Sequence, residues 1–142
     1  MKSYICVIGG ANIDISATPN YQPILHDSTP GKTRFSLGGV ARNIAENLAL
    51  LGEKIELITA IGDDFNSEKI KANCLKNKIS LEHSLFLPNT STSTYICIND
   101  EHGEMNLAVA DMDIYKFMDV NFFQSKIDLI NQGKALILDT NT

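Results

Sequence analysis

The 142-residue sequence has no long apolar run, no clustered cysteine or histidine, and no excess of positive charge. Each absence excludes a class. No stretch approaches the ~20 apolar residues that a membrane span requires. Cys6, Cys74 and Cys97 are odd in number, far apart and set among apolar neighbours, which favours reduced, buried thiols over bridges or metal ligands. His26, His83 and His102 are isolated and make no metal spacing, so they read as surface residues. Twelve Lys and Arg stand against 17 Asp and Glu, and the formal charge of −5 argues against nucleic acid or an anionic membrane as partner. Repeats and low-complexity tracts are absent, and no phosphate-binding P-loop occurs. Met1-Lys2-Ser3-Tyr4 leads directly into a strand-like segment, so the expectation is a cytoplasmic chain without a signal peptide. With 44% hydrophobic and 20% charged residues, the composition is that of one globular domain.

What is present centres on the stretch from Gly38 to Gly52. Val40, Ile44 and Leu48, beside Ala41, Ala45 and Ala49, recur at three and four residues and predict a helix with a core-facing stripe. Gly52 stands where a left-handed cap belongs. Gly38 and Gly39 open this helix, either as a tight turn or as bare backbone that an oxygen-rich ligand can approach. Asn43, one turn in, offers a donor and an acceptor toward the same place.

Before this helix, Tyr4 to Ile8 reads as a buried strand ending at Gly9-Gly10. The third glycine and helix of a dinucleotide fold do not follow. Instead Asn12 and Asp14 alternate with Ala11, Ile13 and Ile15, so both polar side chains fall on one face of an extended segment. Such a pair at a strand end suits hydroxyl binding, or else a capped polar turn. From Ser16 to Leu37 the chain makes an excursion with small strands, a flap or a long loop. After the helix, Ile55 to Ile61 reads as a second buried strand. Phe65 to Asn77 follows as a helix with Phe65, Ile70, Cys74 and Leu75 inward, ended by a left-handed Asn77. Asp63 and Asp64 are explained as caps of that helix start. Thr94–Ile98 and Met105–Val109 form a hairpin that joins the sheet or the flap. Asp111 and Asp113 form a further acidic pair without another ligand at metal spacing. Val120 to Ile130 reads as a weakly amphipathic helix and Ala135 to Leu138 as a third buried strand. Alternating strands and helices imply an α/β fold with a parallel sheet, and place Asn12, Asp14, Gly38-Gly39 and Asn141 at its carboxyl edge.

These motifs carry a resemblance. Gly9-Gly10-Ala11-Asn12-Ile13-Asp14, the segment Gly38 through Asn43 to Gly52, and Gly62-Asp63-Asp64-Phe65 resemble the N-terminal half of the ribokinase (PfkB) family of sugar and nucleoside kinases. Within it, Ser36 to Leu48 and Ala110 to Asp113 are most similar to pseudouridine kinases. The resemblance implies a ribokinase-like α/β fold over 1–142, with lid strands at approximately 14–37 and 94–110. It also implies ATP-dependent phosphorylation of a ribosyl 5′-hydroxyl, pseudouridine being the expected acceptor and ribose or fructose alternatives. Asn12 and Asp14 would hold sugar hydroxyls, Gly38, Gly39 and Asn43 would contact the same sugar, Thr94, Ile96 and Val109 would line the lid, and Asn141 would approach from the far strand. The resemblance further implies ATP and Mg²⁺ as cofactors, but most of their sites, and the catalytic Asp, belong to motifs of the family's second half that have no counterpart in these residues. The expected result is therefore a substrate-binding half, inactive by itself, or else a non-catalytic sugar-binding or dimerisation module. A monovalent-cation requirement and a homodimer through the lid strands also follow from the resemblance.

Overall fold

A computed structural model describes residues 3–140. Strand β1 (Ile5–Ile8) leads through Gly9-Gly10-Ala11 into β2 (Asn12–Pro19), which turns back as β3 (Gly31–Gly38) and enters helix α1 (Val40–Leu50). Next come β4 (Ile55–Ile58), β5 (Ala60–Ile61), α2 (Phe65–Lys76), β6 (Ile79–Ser80) and β7 (Leu85–Phe86). The hairpin β8 (Thr94–Asn99) and β9 (Met105–Asp111) is followed by a 3-10 helix at Asp113–Phe117, α3 (Val120–Gln124), α4 (Ile127–Gln132) and β10 (Ala135–Leu138).

The strands form a parallel sheet in the order β10-β1-β4-β6 and a separate flap in the order β3-β2-β8-β9. The hairpin thus joins the excursion, with β8 running parallel to β2. Alternation along β1 explains why its apolar run is unbroken. Ile5 and Val7 face one core, with Ala41 and Ala45 of α1 and Ile70 and Cys74 of α2, while Cys6 and Ile8 face another, with Ile114, Tyr115 and Met118.

Several element-level expectations change. The segment expected as one strand over Ile55–Ile61 divides at Thr59, whose N–H donates to Ser84 Oγ instead of a neighbouring strand. On α1 the buried stripe begins at Ala41, Val40 is 50% exposed, and Arg42 is buried. On α2, Phe65 and Leu75 are 75% and 80% exposed, because one helix face carries Ser67, Ile70 and Cys74 inward. Lys78, not Asn77, takes the left-handed conformation. The helix expected over Val120–Ile130 breaks after Gln124, where the Ser125 hydroxyl donates to Phe122 O. Among the described residues β10 pairs only with β1, and Leu136 and Leu138 are exposed rather than buried.

Candidate functional site

The site begins where the chain passes from one sheet to the other. Ala11 is fully buried, and its two backbone groups are both held by one side chain: its N–H donates to the Tyr115 hydroxyl at 2.8 Å, which donates to Ala11 O at 2.9 Å. Ser93 Oγ lies 2.6 Å from the same hydroxyl and 3.1 Å from Ala11 O. Burial pushes the Tyr115 phenol above its ordinary pKa, so it stays a neutral donor and acceptor. With the root of β2 fixed, strand alternation turns Ala11 and Ile13 to one side and Asn12 and Asp14 to the other, where Asn12 stays buried and Asp14 is partly exposed. Asn12 Nδ2 donates to Asp14 Oδ1 at 2.6 Å.

Strand β3 closes this pocket floor by pairing Gly38 with Asn12 and Ser36 with Asp14. A Cβ at Gly38 would lie 2.4 Å from Asp14 Oδ2, so the carboxylate lies directly over bare backbone. Gly39 has φ +92, and a Cβ there would lie 2.2 Å from Gly10 O. Both glycines are therefore required by the protein's own packing, as the tight-turn reading of them expects.

The start of α1 has no local side-chain cap. Asp139, just past β10, supplies one from a distance: its Oδ2 accepts Ala41 N–H at 3.2 Å and Gly10 N–H at 3.0 Å. Arg42 N–H donates to Gly10 O and Asn43 N–H to Gly39 O. These three helix-start amides are thus already occupied by the protein's own acceptors.

Arg42 is 3% exposed and works as a hub. Its guanidinium donates to Gly38 O at 3.0 Å, Leu37 O at 3.1 Å, Asn73 Oδ1 at 3.1 Å and Glu46 Oε2 at 2.9 Å, and also to Asn43 Oδ1. Glu46 also accepts from Asn73 and Asn77. Those bonds, Asn73 foremost and then Arg42, hold its carboxyl below the usual range. The last two carbonyls of β3 are thereby tied to both helices, and the carboxamide of Asn43 is oriented by its neighbour.

The structure thus brings Asn12, Asp14, Gly38 and Gly39 together, with Asn43 linked to them through Arg42. Thr94, Ile96 and Val109 lie on the flap in a different row. The ladder sets Thr94 beside Ile13, and Ile96 beside Ile15 and Val109, whereas Tyr95 is the residue level with Asp14. Strand alternation separates the two rows onto opposite faces. Asn141 lies outside the described residues. Of the other carboxylates, Asp64 caps α2 through Ser67 N–H and also accepts Thr92 N–H. Burial raises its pKa, but the Thr92 and Ser67 bonds outweigh this and hold it low. Asp63 is no cap; it accepts the amides of Asn89 and Thr90. Arg42, Tyr115 and Asp139 were not marked by the sequence. Arg42 had one visible signal, a charge beside the small, buried face of an apolar helix.

A parallel α/β sheet carrying a β flap, with a carboxamide–carboxylate pair at their junction, defines the ribokinase-like fold. The chain belongs to the pfkB family of carbohydrate kinases, whose family model matches residues 2–141. It is 36% identical over 140 residues to the pseudouridine kinase of Escherichia coli K12, covering 99% of this chain and 45% of that one. A candidate sugar kinase from Clostridium perfringens superposes with a TM-score of 0.89 at 32% identity, over 99% of this chain and 45% of that one. Arabidopsis thaliana ribokinase, solved with ribose and ATP, matches with a TM-score of 0.81 at 17% identity, over 99% and 46% of the two chains. The chain spans somewhat under half the length of these relatives.

Proposed function

We propose that this chain is the sugar-cradling part of a kinase that phosphorylates the ribosyl 5′-hydroxyl of a nucleoside, pseudouridine being the acceptor. The observation that carries the reading is the Asn12–Asp14 pair locked against Gly38. Asn12 engages Oδ1 of Asp14, which orients the carboxylate, and Oδ2 lies over Gly38 where it can accept a sugar hydroxyl. A site built to accept hydroxyl donors discriminates strongly against analogues lacking them. Asn43, oriented by Arg42, adds a carboxamide donor. Gly38 and Gly39 keep the floor free of side chains. Thr94, Ile96 and Val109 belong to the flap that excludes water, and Asn141 would approach from beyond β10.

ATP with Mg²⁺ would be the phosphoryl donor, and the described residues do not fit it. Asp63, Asp64 and Asp139 are each committed to backbone amides, and among the described residues no group of three His, Cys, Asp or Glu could hold a metal. The chain alone is therefore expected to bind sugar without turnover. The exposed apolar row of Phe35, Ile96 and Val109 supports homodimer formation through the flap.

Calorimetric titration with ribose and pseudouridine tests the reading. Wild-type chain is expected to bind both, and Asp14→Asn is expected to weaken both at least tenfold. Ribose affinity unaffected by Asp14→Asn would overturn it.

A further inference from the structure

Helix α2 meets the flap along one stripe. Asn66, Lys69 and Asn73 follow one another at three and four residues, so their side chains leave the same helix face. Asn66 Nδ2 donates to Thr94 Oγ1 at 3.4 Å, at the foot of β8. Asn73 accepts from Arg42, which holds Leu37 O and Gly38 O at the end of β3. Lys69, between them, makes a contact of another kind. Its ammonium lies 4.8 Å from the centre of the Phe65 ring, one turn earlier on α2, and 5.4 Å from that of Phe35 on β3.

Both distances fall inside the ~6 Å range of cation–π attraction. Phe65 and Phe35 are 75% and 60% exposed, so neither ring is embedded in the core. Among the described residues Lys69 forms no ion pair that competes for its charge. A gap lies beside it: Lys69 and the flap residues Ile13, Phe35, Ser36 and Leu37 line a cavity of about 320 Å³. A strand lying over a cavity lacks close-packed support on that side and can shift. Lys69 bridges the gap.

The place of this bridge matters for the sugar. Phe35 pairs with Ile15 and immediately precedes Ser36, the residue paired with Asp14. A movement of β3 at Phe35 therefore reaches Asp14 through its nearest neighbours on the ladder. We propose that Lys69 is a positioning residue for sugar binding, its ammonium latching β3 to α2 between two aromatic rings. The inference rests on the sugar site proposed above. Without the latch the cup is correctly placed for only part of the time, and apparent affinity falls by that fraction.

Calorimetry with ribose on Lys69→Met and Lys69→Arg, together with proton–carbon NMR of the lysine ε-methylenes, tests the assignment. Met keeps the stem and removes the charge, whereas Arg keeps a cation that stacks on aromatic rings. Ribose affinity is expected to fall about fivefold in Lys69→Met, the scale of cation–π attraction at an exposed site. Lys69→Arg should recover most of that loss, and both variants should keep a thermal midpoint close to wild type. In the sugar-free wild-type chain one lysine signal, identified by its disappearance in Lys69→Met, should lie upfield of the others, and Phe35→Leu should reduce that shift. Unchanged affinity in Lys69→Met, or an equal loss in Lys69→Arg, overturns the positioning role. An unshifted Lys69 signal overturns the latch whatever the sugar does. Ribose binding that ignores Asp14→Asn removes the sugar reading, and the role of Lys69 with it, while the NMR shift stays in place.

Discussion

Replacing Arg42 with Met keeps the length and apolar stem of the side chain and removes every donor. The structure allows the cost to be worked out. Gly38 O, Leu37 O and Asn73 Oδ1 lose partners at 3.0–3.1 Å, and Glu46 loses one at 2.9 Å while retaining Asn73 and Asn77. A buried acceptor left unmade costs about 1–2 kcal/mol. The Glu46 side chain is 29% exposed, so water recovers part of its loss. The sum is about 3–6 kcal/mol, which overlaps the range of about 3–5 kcal/mol for breaking a buried charged pair from one side. For a domain of this size that corresponds to a fall in Tm of roughly 10–20 °C. Urea and thermal unfolding followed by circular dichroism measure it. Arg42→Lys keeps the charge without the planar fork and should recover about half of the loss. A Met variant within ~0.5 kcal/mol of wild type would refute the claim that this guanidinium holds β3 to the two helices.

Other outcomes follow from the same geometry. Glu46 has a depressed pKa when folded, so its contribution is present above the unfolded value of about 4.3 and is lost as pH falls through the lower folded value. Acid titration of stability should therefore be less steep in Glu46→Gln than in wild type; identical profiles would count against the network. Gly39 and Gly52 have nearly equal positive φ values, +92 and +89, but only Gly39 is crowded. Gly52→Ala should cost about 1 kcal/mol in unfolding experiments, whereas Gly39→Ala should yield little folded protein. Burial pushes the Cys6 and Cys74 thiols up to about 11, while Cys97 is only partly buried. Native protein should thus show a single thiol reactive toward a disulfide reagent such as DTNB, and denatured protein three.

The sequence was legible where local pattern and tertiary fate coincide. The apolar run of β1, the alternating Asn12 and Asp14, and the hairpin Thr94–Val109 all express strand periodicity, which needs no knowledge of distant neighbours. The α2 faces were misassigned because Phe65 and Leu75 are apolar yet lie off the contact face, and apolar character alone does not mark that face. Strand β10 carries the same apolar signature as β1, but it lies at the sheet edge, a property of strand order rather than composition. The site divides in the same way. Its outward residues were visible as motifs, whereas the supports Tyr115 and Asp139 reach Ala11 and Gly10 across 104 and 129 positions. Such pairings leave no trace in local spacing.

The Tyr115 hydroxyl touches Ala11 at the foot of β2 and Ser93 at the foot of β8, and its own helix starts directly after β9. β2 and β8 therefore share one anchor, and β9 runs straight into the helix that carries it, so any tilt of the flap would carry these strands together. A sugar gripping Asp14 would brake that tilt from below. Nicking by a protease at the distant tip, around Glu101–Gly103, should then slow whenever the cup is filled, although the ligand never reaches it.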